Sequence, residues 1–381
     1  MIWPLTRRQV IAGAVASALA WSLPPRAAFA AGWKGYDRAI VIDGLGGPGT
    51  LTMKPDAPLT DQHVNDARES GLTSVHITIG PVGTTAPDQA FTEAVRSILY
   101  WEREIEAHPD VFMRVRSAAD INAAKRSGRV GFIYGVQDAV AFETDLARLD
   151  DLYALGLRVV QPTYNRRNLL GDGCLEPANA GLSRTGVQAI ERMNALGILI
   201  DLSHCGRRTA ADAIRLSKRP VAFTHTGCAA LADHPRNRTD EELRAVADKG
   251  GVCGIYFMPY LSGGKQPTAA DVIAHLEHMI QVAGEDHVSL GTDGHISAAV
   301  LDQAYKEAFA RSVRERREAG IGAPQEQEDG YLFAADLNTP RRFETLASML
   351  SDRGHSDARI EKILGRNLLR VLGEAWNGSK S

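Results

Sequence analysis

The 381-residue sequence predicts an α/β protein, a single-domain (β/α)8 TIM barrel, and three observations carry that expectation. Short apolar runs rich in Val and Ile recur eight times between Ala39 and Asp293. Runs apolar on both faces belong to strands buried on both sides, as in a parallel sheet covered by helices. Between the runs, apolar residues recur at helical spacing. The glycines, 36 in all, tend to stand where strands end and tight turns begin. Eight strand–helix units suit a closed barrel better than an open sheet. An open doubly wound sheet is the alternative. It would bring a glycine-rich phosphate loop, and no G-x-G-x-x-G follows the first strand.

In chain order, the first four expected strands are AIVIDGL (Ala39–Leu45), TSVHITIG (Thr73–Gly80), VGFIYGVQ (Val130–Gln137) and LRVVQPTYN (Leu157–Asn165). The other four are GILIDLSH (Gly197–His204), PVAFTHT (Pro220–Thr226), VCGIYFM (Val252–Met258) and HVSLGTD (His287–Asp293). Each is β-branched or apolar and is bounded by turn residues. DLARLDDLYAL (Asp145–Leu155) and RTGVQAIERMNAL (Arg184–Leu196) read as helices from their apolar spacing. TDEELRAVADKG (Thr239–Gly250) opens on the capping box Thr239-x-x-Glu242 and closes on Gly250-Gly251.

Hydrophobic residues at 44% and charged residues at 23% are ordinary for a soluble globular chain. A formal charge of −3 argues against nucleic acid or an anionic membrane as the main partner. Residues 1–30 read as a cleavable export signal: the Arg7-Arg8 pair, a short apolar run, then Ala28-Phe29-Ala30. The arginine pair points to the twin-arginine route, which carries folded proteins, and so to the periplasm. The apolar run from Val10 to Leu23 is short of the ~20 residues a membrane span needs, so no span is expected after cleavage. Residues 31–381 are then the barrel domain. Cys174, Cys205, Cys228 and Cys253 form no C-x-x-C pair, so no zinc ribbon is encoded.

Active sites of such barrels sit at the C-terminal strand ends. Strand one ends in Asp43 and then glycines, strand two holds His76, and strand three ends in Gln137. Strand four ends in Tyr164-Asn165, strand five in His204, strand six in His225, and strand eight in Asp293 with His295 beyond. Neighbouring strand ends lie ~5 Å apart, so the His204 and His225 imidazoles can reach one ion. Asp293 can reach the same volume across the mouth. Two His and one carboxylate leave coordination positions for water and substrate, as metal-assisted hydrolysis requires. One such histidine alone would be an ordinary hydrogen-bonded residue; the three groups together favour a site.

From Leu157 to Gly294 the sequence closely resembles the membrane (renal-type) dipeptidases, peptidase family M19 of the amidohydrolase-like barrels. The resemblance is carried by GDGCLEPANAGLSRTG (Gly171–Gly186), MNALGILIDLSH (Met193–His204), FTHT (Phe223–Thr226) and HPRNRTDEEL (His234–Leu243). GHSDARIEKILGRNLLRVL (Gly354–Leu372) looks like the family's closing helix. The resemblance implies a two-zinc enzyme that cleaves dipeptides. It places the second zinc's histidines on His204 and His225, the substrate-carboxylate arginine on Arg236, and the acid/base aspartate on Asp293. Other family positions depart. The His-x-Asp pair of strand one falls on Leu45 and Gly47, the bridging glutamate on Gln137, and a substrate-holding histidine on Tyr164. A bridging carboxylate has become a neutral amide where one cation has lost its own ligands. The expectation is therefore one Zn2+, held by His204, His225 and Asp293 or Gln137, or no metal at all.

His76 could replace a lost ligand, although strand histidines are usually structural. A structural role is also expected for Asp43. Cys205 and Cys228 stand beside the two histidines. Strand alternation turns Cys205 away when His204 points inward, so a disulfide or two free buried thiols is expected, not an extra ligand. The run RSVRERREAG (Arg311–Gly320), with PQEQEDG after it, reads as a solvated helix face in an excursion that could form a lid. Two functions compete. One is a periplasmic hydrolase of dipeptides or small amides that uses one ion. The other is a binding or maturation protein that kept the pocket without the reaction, since some exported members of the family are associated with siderophore maturation. A dipeptide-like small molecule is the expected partner, and a homodimer is compatible with either reading.

Overall fold

The computed structural model describes residues 32–54, 56–83 and 85–377, and the export signal lies outside the described residues. Eight parallel strands occur in chain order: β1 (Ile42–Asp43), β2 (Ser74–Thr78), β3 (Val130–Val136), β4 (Leu157–Val160), β5 (Leu199–Asp201), β6 (Val221–Cys228), β7 (Val252–Ile255) and β8 (Val288–Leu290). Each pairs with the next in sequence. Between β8 and β1 the ring is joined by the Gly44 N–H, which donates to the Leu290 carbonyl at 2.9 Å. The Asp43 carboxylate adds to this seam, accepting from the Thr292 N–H at 2.8 Å and the Thr292 hydroxyl at 2.7 Å. The barrel predicted from sequence is thus the fold. Asp43 has the structural role expected of it: it locks the last strand end to the first.

All the observed strands except β6, which runs on to Cys228, are shorter than the apolar runs because the chain turns into loops at the mouth. Above β1, Gly46–Gly47 pairs instead with Gly294–His295. Outside the ring lie α1 (Asp61–Glu69), α2 (Pro87–Ala107), α3 (Ala118–Ser127), α4 (Ala147–Leu155), α5 (Arg184–Leu196), α6 (Arg207–Leu216), α7 (Asp240–Asp248) and α8 (Ala269–Ala283). After β8 come α9 (Gln303–Glu318), α10 (Arg342–Asp352), α11 (Asp357–Glu361) and α12 (Asn367–Trp376). α5 has the bounds its sequence predicts: Ser183 caps its start and Gly197, at φ 74°, stops it. The capping box of α7 is formed, with Glu242 accepting from the Thr239 N–H at 2.9 Å. Such a cap contributes ~1 kcal/mol.

The closing helix expected over Gly354–Leu372 is divided. A wide turn at Lys362–Arg366 separates α11 from α12. At that turn the backbone of Gly365 approaches β1 so closely that a Cβ would lie 2.5 Å from the Ile40 carbonyl oxygen. The approach lets α12 stopper the barrel floor. There Ile42, Ile133, Val159, Leu199, Ala222 and Val252, one from each of six strands, pack with Leu368, Val371, Leu372 and Ala375. Above this apolar layer the buried side chains become polar, among them Ser74, His76, Gln161, Asp201, Thr224 and Ser289. The four cysteines are free thiols. Burial pushes the thiols of Cys205 and Cys228 up to about 12, so the thiol form prevails at neutral pH. No described helix is long and apolar enough to cross a membrane.

Candidate active site

β5 and β6 are ring neighbours, and they bring the His204 and His225 ring centroids to 5.1 Å. The Nδ1 of His225 lies 2.8 Å from the Thr224 hydroxyl oxygen. That hydroxyl donates its own proton to Asp201 at 2.6 Å, so it accepts from His225 and the imidazole proton sits on Nδ1. Asp201 is held in turn by the Ser203 hydroxyl at 2.6 Å and the Thr224 N–H at 3.0 Å. The Nδ1 of His204 lies 2.6 Å from the Asn165 side-chain oxygen. The Asn165 amide nitrogen donates to the Ile321 carbonyl at 2.7 Å, which leaves its oxygen to accept from His204. Both Nε2 atoms are buried and have no hydrogen-bond partner. Burial, followed by the Arg236 charge, holds both imidazoles well below their ordinary pKa and keeps them neutral. A neutral ring with Nδ1 committed and Nε2 bare is the form in which histidine binds a metal.

Gln137 follows β3. Its amide nitrogen donates to the Thr78 hydroxyl at 2.8 Å, and its buried oxygen has no partner. His76, on β2, donates from Nδ1 to the Gly44 carbonyl at 2.8 Å, also with Nε2 bare. Gly135 makes room for that ring: a Cβ there would lie 1.9 Å from Nε2. Asp293 has a φ of 54°, the left-handed region that non-glycine residues enter at a cost and mostly near functional sites. Its carboxyl is pushed up by burial, with Arg236 and Arg316 pulling the other way. Among the described residues no three His, Cys, Asp or Glu side chains group closely enough to hold an ion. That includes His204, His225 and Asp293.

Arg236 is buried and forms no ion pair among the described residues. Its guanidinium lies 5.6 Å over the Tyr256 ring and reaches the Ser203 and His225 carbonyls only at 3.4 Å. Tyr164 stacks on His204 at 4.0 Å between centroids. The Tyr164 hydroxyl accepts from Arg316 at 3.0 Å. Arg316 also makes a two-pronged pair with Glu326 at 2.8 and 3.2 Å. Glu326 accepts further from the Tyr260 hydroxyl at 2.7 Å and the Ala323 N–H at 3.0 Å. This corrects the reading of Arg311–Gly320 as a solvated face. Arg311, Arg314 and Arg317 are exposed, but Arg316 turns into the mouth. The signal was present: Arg316 continues the buried helical stripe of Tyr305, Phe309 and Val313.

Residues 51–304 match the family described as membrane dipeptidase, peptidase family M19. Dipeptidase verJ of Clonostachys rogersoniana is 29% identical over 271 residues, 70% of this chain and 61% of that protein. The chain thus spans about three fifths of the length of that relative. An amidohydrolase structure from Pseudomonas aeruginosa superposes with a TM-score of 0.76 at 31% identity, covering 90% of this chain and 98% of its own. A metallo peptidase from Rhodobacter sphaeroides, solved with a phosphinate mimic of the dipeptide L-Ala-D-Ala, shares the fold with a TM-score of 0.71 at 20% identity, covering 89% of this chain and all of its own. With the barrel, the paired histidines and these relatives in agreement, the chain belongs to the membrane dipeptidase family M19, a family of metal-dependent hydrolases.

Proposed function

We propose that the protein is a periplasmic hydrolase of dipeptides or small amide substrates that works with one zinc ion. The observation that carries this reading is the pair of bare, buried Nε2 atoms on His204 and His225, each with its proton committed at Nδ1. The two bare imidazoles suit one ion, with the unpartnered buried Gln137 Oε1 as the further donor. Asp293, outside a close group with them, is left to proton transfer. Leu45 and Gly47 carry no ligating side-chain atom and the Asp43 carboxylate is taken up by Thr292, so strand one lacks the ligands a second ion would need. A zinc ion bound there would supply a Lewis acid for the scissile carbonyl and lower the pKa of water.

The protein's own groups do the rest. Asp293, its carboxyl raised by burial, is suited to take up and return a proton. Arg236, a buried cation with no acid partner among the described residues, is suited to a substrate carboxylate. Tyr164, stacked on His204, borders the space a substrate would enter. The dipeptide mimic bound by the Rhodobacter sphaeroides relative supports the substrate class. The arginine pair and A-x-A site of residues 1–30 support export.

Elemental analysis of dialysed protein tests the reading: at most one zinc per chain is expected, and two stoichiometric zincs would overturn it. That no third His, Cys, Asp or Glu side chain groups closely with His204 and His225 among the described residues favours a second reading, a binding or maturation protein without peptidase activity. A metal-free protein that turns over no dipeptide would establish that one.

A further inference from the structure

We propose that Asn165 is the positioning residue for His204, and that the segment after β8 holds Asn165 in that role. One metal-holding histidine is then oriented by the barrel and the other by its cap. This rests on the reading of His204 and His225 as metal ligands.

The two histidines differ in what fixes them. The chain behind His225 runs through Thr224 and Asp201, both on barrel strands, and does not leave the ring. The chain behind His204 leaves it. Asn165 lies in the loop after β4, and its amide can face only one way. Turned over, it would set its oxygen against the Ile321 carbonyl and its N–H against the Nδ1–H of His204. The Cys174 thiol, 3.3 Å from the same Asn165 oxygen, agrees with that oxygen being the acceptor. Ile321 belongs to the turn that follows α9, where Gly320 takes φ 68°. The same segment holds the neighbouring residue, since Arg316 donates to Tyr164 and Tyr164 lies flat on the His204 ring. His204 is therefore gripped at Nδ1 and on one face by consecutive residues, each bonded to the cap. With the cap seated, the His204 proton stays on Nδ1 and its Nε2 lone pair is free for a metal. With the cap lifted, the Asn165 amide can turn and this preference is lost.

Two measurements test this: zinc affinity of chelator-stripped protein by competition with a chromophoric chelator, and the His204 tautomer by ring 1H–15N spectra assigned with His204→Ala. The wild type should show the Nδ1–H tautomer without metal. Asn165→Leu should mix the tautomers and weaken zinc ~10–100-fold, the usual cost of losing a residue that orients a metal ligand. Asn165→Asp keeps an acceptor for Nδ1–H but loses the donor to the Ile321 carbonyl, so its affinity should fall between those of the wild type and Asn165→Leu. Arg316→Met should weaken zinc in the same direction, by less than an independent effect once Asn165→Leu is present. A folded Asn165→Leu variant with wild-type affinity would overturn the proposal. So would an Nε2–H tautomer in the wild type, or Asn165→Asp as weak as Asn165→Leu. If Asn165→Leu does not fold, the wild-type tautomer and Asn165→Asp decide. If the wild type binds no zinc, the single-ion function fails, while the tautomer still tests Asn165.

Discussion

At the scale of single residues, the site separates groups that hold from groups that react. His204 and His225 each offer one atom, Nε2, and none of the described residues hydrogen-bonds to it. Removing either leaves too few ligands, so His204→Ala and His225→Ala should each abolish zinc retention and activity together. Asp293 is outside any close ligand group and sits in a strained backbone conformation. Asp293→Asn should therefore retain zinc while turnover falls ~10²–10⁴-fold, the usual contribution of a positioned proton carrier. Arg236→Ala should chiefly raise KM, and should do so for a dipeptide with a free carboxylate more than for its amide. Zinc content and steady-state kinetics on the purified variants check all three. Loss of zinc in Asp293→Asn would make that residue a ligand.

The decisive element is the segment from α9 to Glu326. Arg316 and Glu326 are both drawn into the mouth, and burial alone would raise the Glu326 carboxyl. The pair with Arg316, together with the Ala323 N–H and the Tyr260 hydroxyl, outweighs burial and holds it below its usual value. Replacing Arg316 by Met leaves a nearly buried carboxylate without its cation, a change that costs on the order of 3 kcal/mol. The cost falls locally, so the segment should open before the barrel does. Hydrogen exchange and limited proteolysis should show residues 316–326 deprotected in Arg316→Met, with the floor packed on α12 unchanged. Restoring neutrality with Arg316→Met/Glu326→Gln should return much of the protection. Equal protection in wild type and Arg316→Met would mean that other contacts hold the cap.

For the whole molecule, closure of the ring rests partly on a carboxyl group that burial makes reluctant to ionise. Burial pushes Asp43 from its ordinary 3.8 up to about 7, although its bonds from Thr292 and Leu45 and the Arg342 charge all work against the rise. With the folded value above the unfolded one, the folded state keeps a proton that the unfolded state has released. The contribution of Asp43 therefore falls as pH rises from about 4 to about 7 and is level above that. Asp43→Asn removes this dependence. In urea unfolding at a series of pH values, the stability of wild type relative to Asp43→Asn should decline across that window. Parallel curves would show that Asp43 does not titrate there.

By itself the sequence determined the barrel, its order and its strand-end inventory. Strand alternation, helical spacing and turn residues are local patterns, written within a few positions of one another. His204, His225, Asp293, Gln137 and Tyr164 could be singled out because a parallel barrel sends every strand end to one mouth, whereas Arg236 was implied only by the resemblance to the dipeptidase family. The break inside the closing helix is not written locally, since it is the packing of Gly365 on Ile40 that accompanies it. Three other matters were decided by the tertiary structure. Asn165 meets Ile321 across 156 positions and Tyr164 meets Arg316 across 152, contacts that no local pattern encodes. Which imidazole atoms are left bare depends on partners at Nδ1 that only the closed ring and its cap supply. The grouping of ligands is set by side-chain directions at the mouth, which is why Asp293 shares a rim with the two histidines without joining them in one cluster.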